Sequence, residues 1–177
     1  MAGRLGDTLN EEARMFLSYM HNGATRMEML VRDLLAYTQA SIVEGDPDYV
    51  DATAAMHSAI ANLAGAIAET GAAVDFEPLP SVRIHKIQLQ QLFQNLIGNA
   101  IKYHRQGIPP VVHTTARREH GNWIFSVTDN GIGIEAQFKE RIFGLFKRLH
   151  TGDEYSGTGI GLALCQVITR PAQPRPI

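Results

Sequence analysis

A long stretch near the start of the chain carries apolar residues at the spacing of a helix seam. Within residues 8–40 these positions step alternately by four and three residues; they are Phe16, Met20, Gly23, Met27, Leu30, Leu34 and Tyr37. This spacing keeps the apolar side chains on one side of an α-helix. Thr8 and Glu11 stand at capping-box spacing, which predicts that the helix begins at Thr8.

A helix over residues 8–40 is too long to be covered by a small domain, since each residue adds about 1.5 Å and the total is roughly 45 Å. We therefore predict that its seam pairs with a second helix or with a second chain. The alternative is an amphipathic helix that lies along its own domain.

After this helix, Gly45 and Pro47 interrupt the pattern and predict a domain boundary at residue 45. The remaining order of elements predicts an α+β fold, a two-layer sandwich with helices on one face of a mixed sheet. The predicted elements are a helix over 52–71 capped by Gly71, two short strands joined by a turn in 72–84, a helix over 86–104, a hairpin of 110–119 and 122–130, a short helix in 136–146, and a helix over 159–169 stopped by Pro171.

Composition excludes several classes of function. A hydrophobic content of 45% suffices for a packed core, and a net charge of -2 without any basic run argues against nucleic acid as a partner. The single Cys165 forms neither an internal disulfide nor a multi-cysteine metal site, and its helical setting favours buried packing in a reducing compartment. Without a signal peptide or a run of about 18 apolar residues, the sequence predicts no membrane segment and a cytoplasmic location.

Residues 129–134, "DNGIGI", directly follow a predicted strand. Asp129 is then held at a strand end, while Gly131 and Gly133 allow close approach of the backbone. A carboxylate in this place can accept a hydrogen bond from an exocyclic amine such as that of adenine. Taken alone, an Asp-Asn-Gly turn is also typical of an ordinary loop.

Two further clusters favour an anionic ligand. Gly157, Gly159 and Gly161 lie before and at the start of the last predicted helix, where free N–H groups and the helix dipole favour a phosphate. In the helix over 86–104, Asn95, Asn99 and Lys102 fall on one stripe. Two amide oxygens and an ammonium group suit a magnesium triphosphate, although buried asparagines serve equally as structural caps.

Joined in this order, the clusters resemble the ATP-binding domain of bacterial sensor histidine kinases, within the wider group that includes gyrase and the heat-shock chaperone ATPases. The resembled motifs are the asparagine box "NLIGNAIKYH" (95–104), the first glycine box "DNGIGI" (129–134), the phenylalanine box "IFGLFKRLH" (142–150) and the second glycine box "GTGIGLAL" (157–164). Residues 146–165 are especially similar to the phytochrome-like branch. Residues 24–40 resemble the second helix of the family's dimerisation and phosphotransfer hairpin.

The resemblance implies ATP and Mg²⁺ as ligands and assigns roles to individual residues. Asp129 would bind the adenine amine, Asn99 helped by Asn95 would hold magnesium, and Lys102 and Arg148 would meet phosphate oxygens. The implied nucleotide-binding set is Asn95, Asn99, Lys102, Tyr103, Asp129, Gly131, Gly133, Arg148, Gly157, Thr158, Gly159, Gly161 and Leu162. Phe143 and Phe146 are interpreted either as core anchors of the lid or as nucleotide contacts.

In the resembled family the phosphate acceptor is a histidine followed by an acidic residue and then by proline. None of the seven histidines has this setting. His21 comes closest by location, but Asn22, Gly23 and Ala24 follow it. The resemblance therefore implies a protein histidine kinase portion that lacks its own acceptor and does not phosphorylate itself in cis.

The ends of the chain also depart from the family pattern. The expected organisation is a partial dimerisation helix over 1–44, an incomplete ATP-binding domain over 45–170 with its last sheet strands missing, and a tail over 171–177 outside the family pattern. The implied partners are a second copy or another kinase, paired through helix 8–40, and a response regulator. Two alternatives stay open, a non-catalytic dimerising module and a degenerate kinase remnant.

Overall fold

The structure is a computed structural model, and it describes residues 10–42, 45–149 and 157–169. Within these residues the α-helices and strands follow in the order α1 (Glu11–Ser41), β1 (Asp48–Asp51), α2 (Ala52–Asn62), α3 (Ala64–Thr70), β2 (Ala73–Phe76), β3 (Ser81–Ile84), α4 (Lys86–Lys102), β4 (Val111–Glu119), β5 (Asn122–Asp129) and α5 (Gly161–Thr169). The predicted stop of the last helix at Pro171 and the tail over 171–177 lie outside the described residues.

The first helix begins at a different cap from the predicted one. Asn10 is the N-cap of α1, and its side-chain oxygen accepts a hydrogen bond from the Ala13 N–H at 2.8 Å. An asparagine side chain can satisfy one of the free N–H groups of a first turn. Thr8, the predicted cap, lies outside the described residues. The predicted length is confirmed, because α1 runs for 31 residues to Ser41.

A mixed three-stranded sheet forms one layer of the domain. β4 and β5 form the predicted antiparallel hairpin, which turns at His120 and Gly121, and both turn residues have positive φ. β2 joins β4 as a parallel neighbour, so the strand order is β2-β4-β5. The prediction of an α+β sandwich with a mixed sheet is confirmed.

Three local predictions are corrected. The two predicted strands in 72–84 are present as β2 and β3, but β3 pairs with β1, a strand that the prediction of a boundary at residue 45 did not include. The predicted helix over 52–71 is divided at Leu63 into α2 and α3. Gly71 does cap α3 in a left-handed conformation. In place of one helix in 136–146, two 3₁₀ turns span Ala136–Phe138 and Arg141–Phe143.

Helices α2, α4 and α5 form the second layer: α4 packs on β4 and β5, and α2 and α5 pack on α4. Phe93 of α4 is fully buried and meets Phe125 of β5 edge to face, with ring centroids 5.5 Å apart. Val112 and Ala116 lie on the inner face of β4, as the two-residue repeat of a strand requires. Cys165 is buried in α5, which confirms its predicted packing role. Burial raises the pKa of its thiol to about 12.

The long helix α1 is attached to this domain at its C-terminal end. Ala40 is buried there, and its carbonyl oxygen accepts a hydrogen bond from the Gln88 side chain of α4 at 2.9 Å. Farther from that end, the predicted seam is exposed to solvent at Phe16, Met20 and Met27. The helix is thus anchored at one end and uncovered along most of its length. The domain boundary at residue 45 stays a prediction.

Candidate functional site

A cavity of about 420 Å³ opens between α4, the end of β5 and the segment that follows β5. This volume falls within the usual range of pockets that bind small molecules. Its walls are mainly apolar and include a few charged groups. The lining residues are Leu96, Asn99, Ala100, Tyr103, Val127, Asp129, Ile132, Gly133, Ile134, Lys139, Ile142, Lys147, Arg148, Leu149 and Leu162.

Asp129 lines this cavity at the end of β5, and it is exposed to solvent. One carboxylate oxygen accepts a hydrogen bond from the Gly131 N–H at 2.8 Å, which fixes the orientation of the side chain. The next residue, Ile132, donates its N–H to the Tyr103 carbonyl at the end of α4, at 3.0 Å. The turn after β5 is therefore held against the C-terminus of α4 by Ile132, and the Gly131 N–H orients the Asp129 carboxylate within that turn.

Gly131 has no room for a side chain. A Cβ atom at this position would lie 2.5 Å from the Tyr103 carbonyl oxygen and 2.7 Å from the Asp129 carboxylate. Both distances are far shorter than ordinary van der Waals contact. The first glycine of "DNGIGI" is thus required by the close approach of two backbone segments.

A second, smaller cavity of about 150 Å³ adjoins the first. Its lining residues are Asp33, Asn95, Asn99, Lys102, Tyr103, Ile142, Lys147, Gly157, Thr158, Gly159, Gly161 and Leu162. Asn99, Tyr103, Ile142, Lys147 and Leu162 line both cavities, so the two form the joined chambers of one site. We call the larger one the apolar chamber and the smaller one the polar chamber.

Helix α4 presents three polar side chains to the polar chamber. Asn95 donates its amide N–H to the Gln91 carbonyl at 3.0 Å, which leaves its side-chain oxygen facing Gly161. Within the described residues, no hydrogen bond engages the amide of Asn99, which lines both chambers. The Lys102 ammonium donates to the Tyr103 hydroxyl at 2.9 Å. This arrangement leaves Asn99 more available to a ligand than Asn95.

The second glycine cluster closes the polar chamber from the opposite side. A Cβ at Gly157 would lie 2.6 Å from the Lys102 ammonium, and one at Gly161 would lie 2.8 Å from the Asn95 side-chain oxygen. A Cβ at Gly159 would meet the Lys147 carbonyl oxygen at 2.8 Å. Each glycine therefore permits a close approach, two of them to polar groups of α4.

All the predicted site residues except Gly131 line one or both chambers, and Gly131 contacts Asp129 directly. The two predicted phenylalanines do not belong with them. Phe143 and Phe146 are 37% and 56% exposed, and neither lines a chamber in the described part of the chain. The interpretation of Phe146 as a core anchor is wrong, since most of its side chain faces solvent.

The structure adds lining residues that the sequence reasoning missed. Lys139 and Lys147 bring two further cations, and Asp33 of α1 brings a carboxylate. Lys147 lies inside the phenylalanine box (142–150), so its position in that motif could have predicted a cation at the site. No local pattern marks Asp33, which is 125 positions away from Thr158, its hydrogen-bond partner.

The lining of the two chambers carries more positive than negative charge. Lys102, Lys139, Lys147 and Arg148 are present, against the carboxylates of Asp33 and Asp129. A polyanion is favoured at such a surface. Among residues 10–42, 45–149 and 157–169, no group of three or more His, Cys, Asp or Glu side chains is placed to hold a metal ion. Within the same ranges, no helix combines the length and the apolar character needed to cross a membrane.

The helix-on-sheet sandwich and its joined chambers define a nucleotide-binding domain of the ATPase class. A family profile described as histidine kinase-, DNA gyrase B-, and HSP90-like ATPase matches residues 84–173. The chain therefore belongs to this ATPase family.

Individual relatives narrow the comparison. Cyanobacterial phytochrome A of Nostoc sp. is 46% identical over 165 residues, which cover 93% of this chain and 21% of that protein. Phytochrome-like protein Cph1 of Synechocystis sp. is 41% identical over 165 residues, covering 93% and 22%. The chain thus spans about a fifth of the length of these relatives.

A solved structure agrees with these relatives. The structure of full-length ShkA in complex with AMPPNP matches with a TM-score of 0.67 and 25% identity, over 90% of this chain and 34% of that one. Together with the family profile, these similarities identify the chain as the catalytic region of a sensor histidine kinase of the phytochrome-like group.

Proposed function

We propose that the chain binds ATP with magnesium and transfers the γ-phosphoryl group to a histidine outside its 177 residues. The observation that carries this proposal is the joining of an apolar chamber, whose lining includes the Asp129 carboxylate, to a polar chamber between α4 and the second glycine cluster. The two chambers match the two unlike halves of a nucleotide.

The apolar chamber is assigned to the adenine ring. Asp129 accepts a hydrogen bond from the exocyclic amine, and its position is fixed by the bond from the Gly131 N–H. Ile132, Ile134 and Val127 supply apolar contacts to the faces of the ring. Since a guanine base presents a carbonyl oxygen where adenine carries its amine, a carboxylate in this place favours ATP over GTP.

The polar chamber is assigned to the phosphates and to magnesium. Asn99 and Asn95 supply amide oxygens, which suit Mg²⁺ when phosphate oxygens and water complete its coordination. Their fit rests on the amide of Asn99, which is not engaged by any described residue, and on the Asn95 oxygen that faces Gly161. Lys102, Lys147 and Arg148 offset the remaining charge of the triphosphate.

In the proposed reaction an imidazole nitrogen attacks the γ-phosphorus, the bond from phosphorus to the β–γ bridging oxygen breaks, and ADP leaves. The chain contributes positioning and charge stabilisation, which are the main terms in phosphoryl transfer. The acceptor is assigned to another segment or another chain because no histidine here has the acceptor setting.

The test is incubation of the chain with magnesium and γ-labelled ATP, alone and with an intact kinase whose own ATP site has been inactivated. We expect label on the histidine of that kinase and none on this chain. Acid-labile phosphate on a histidine of the chain alone would overturn the assignment of the acceptor. Absence of any ATP binding would overturn the whole proposal.

We also propose that the exposed part of α1 pairs with another copy or with a related kinase. Phe16, Met20 and Met27 are 55%, 70% and 63% exposed, and they share the predicted seam. Burial of such side chains between two helices contributes roughly 1.5–3 kcal/mol each. We propose that a response regulator then accepts the phosphoryl group from the phosphorylated histidine. The cytoplasmic location stays a prediction.

Introducing charge into the seam is expected to weaken this pairing. The double variant Met20→Glu with Met27→Glu places four carboxylates at the interface of a dimer, so the dissociation constant should rise at least tenfold, about 1.4 kcal/mol. Sedimentation equilibrium measures it. The matched control, Ser18→Glu with Thr25→Glu, adds the same charge on the far face of α1 and should leave the constant within about threefold. Equal effects of the two variants would contradict the seam.

A second candidate function is favoured by the same exposed helix. The chain could act as a non-catalytic module that pairs with an intact kinase and tunes it through α1. An effect on that kinase that survives replacement of Asp129 by asparagine would favour this function. A cooperative thermal transition raised by magnesium and ATP would argue against the third interpretation, a degenerate remnant.

A further inference from the structure

One carboxylate in the polar chamber comes from outside the ATPase domain motifs. Asp33 belongs to α1, yet it lines the same chamber as Lys102 and Asn99. Its Oδ2 atom accepts a hydrogen bond from the Thr158 hydroxyl at 2.5 Å. Thr158, a residue of the second glycine box, is only 8% exposed, so the hydroxyl that makes this contact is buried.

The position of Asp33 conflicts with the proposed ligand. Among the described residues that line the polar chamber, Asp33 carries the one carboxylate, and Lys102 and Lys147 carry the cations. A triphosphate that enters the chamber needs the same cations and meets the Asp33 charge at close range. Like charges that share a small, partly desolvated site disfavour each other. The Asp33 carboxylate therefore disfavours a phosphate in this chamber.

Asp33 lies on α1 between the end that is attached to the domain and the N-terminal part that is exposed to solvent. The helix is anchored beyond Asp33 by the bond between Gln88 and the Ala40 carbonyl, and it packs on α5. Toward its N-terminus it is uncovered at Met27 and Met20. Helix shifts of about 1–2 Å are a known kind of switching transition, and a shift of this kind in α1 would displace the Asp33 carboxylate from Thr158.

We propose that Asp33 is an autoinhibitory gate for the phosphates of ATP. With α1 in the position seen here, its carboxylate holds Thr158 and repels the triphosphate; when α1 shifts, the carboxylate leaves, and the chamber accepts the nucleotide. Nucleotide binding and the position of α1 are then coupled, and the coupling acts equally in both directions. This inference rests on the proposed function, because it assigns the phosphates to the polar chamber.

The test compares Asp33→Asn with the wild-type chain in calorimetric titrations with ATP, ADP and adenosine, all with magnesium present. Asparagine retains the size of the side chain and an oxygen for the Thr158 hydroxyl, but it removes the charge. We expect about tenfold tighter ATP binding, within the usual range of coupling between sites, a smaller gain for ADP and no change for adenosine. Glu28→Gln, which removes an exposed carboxylate of α1 outside both chambers, is the matched control and should change none of the three affinities.

Each other outcome overturns the gate. ATP affinity unchanged within about twofold, or weaker ATP binding, would mean that Asp33 does not repel the phosphates. An equal gain for adenosine and ATP would show an effect on the apolar chamber instead. Circular dichroism confirms that the variant is folded. If the wild-type chain binds neither ATP nor ADP, the proposed function fails; if it binds both and Asp33→Asn gains nothing, only the gate fails.

Discussion

Replacing Asp129 by asparagine lowers the affinity of the chain for ATP by about 100-fold, equivalent to about 2.7 kcal/mol. Asparagine can still accept the hydrogen bond from the Gly131 N–H with its oxygen, as Asp129 does at 2.8 Å. Its amide N–H₂ group then points toward the adenine amine, so two donors face each other. The loss therefore combines a missing charge-assisted hydrogen bond with two donors that face each other once the base covers them. Calorimetric titration with ATP and magnesium measures it.

The same variant should also change base selectivity. An amide donor suits the carbonyl oxygen of guanine, so the preference for ATP over GTP should shrink or reverse, while the melting temperature without nucleotide changes little. Asp75→Asn is the matched control, since Asp75 is an exposed carboxylate on β2 that pairs with His113 away from both chambers. ATP affinity equal in the wild-type chain and the Asp129 variant would contradict the adenine assignment.

Replacing Gly131 by alanine is expected to affect both stability and binding. The added Cβ would lie 2.5 Å from the Tyr103 carbonyl oxygen, and neither α4 nor the turn after β5 can yield without breaking the hydrogen bond from Ile132 to Tyr103. Overpacking of this kind costs roughly 1–3 kcal/mol. Because the displaced turn carries Asp129, ATP binding should also fall by at least tenfold. Urea unfolding and calorimetry give the two quantities.

Gly65→Ala separates this effect from the general consequences of removing a glycine. Gly65 lies in α3, and a Cβ there has nothing within 4 Å. The variant should be as stable as the wild-type chain or more stable by up to about 1 kcal/mol, since alanine favours a helix, and its ATP affinity should not change. A Gly131→Ala chain with wild-type stability and ATP affinity would show that the two backbone segments separate at little cost.

The sequence predicted the fold class, which the structure confirms, and it pointed to residues that the structure gathers at one site. Asp129, Asn99 and Lys102 were accessible because each lies in a local motif, on a helix stripe or at a strand end, where short-range geometry determines direction. The gathering of these residues around joined chambers confirms that the motifs adjoin in space. Their roles toward ATP and magnesium stay predictions until the binding measurements are made.

The missed features all depend on contacts between distant segments. β1 is a four-residue strand that pairs with β3, and nothing local to Asp48–Asp51 separates it from a linker. The 3₁₀ turns at Ala136–Phe138 and Arg141–Phe143 carry a helical apolar pattern, but they are too short for α-helical hydrogen bonds to accumulate. Asp33 reaches Thr158 because α1 packs against α5, and this contact between distant segments is not encoded in the local pattern of the helix.

The parallel pairing of β2 with β4 determines the order in which this chain can fold. Ala73 pairs with Val111 and Phe76 with Thr114, so β2 waits for the whole of α4 to be synthesised, whereas the hairpin of β4 and β5 closes over a two-residue turn. Contacts between distant residues form slowly because closing a long loop costs entropy before the contact contributes any favourable energy. During translation β2 thus stays unpaired until β4 has been synthesised. For that interval Val74 and Phe76 of β2 are not covered by the core, and a chaperone could bind them.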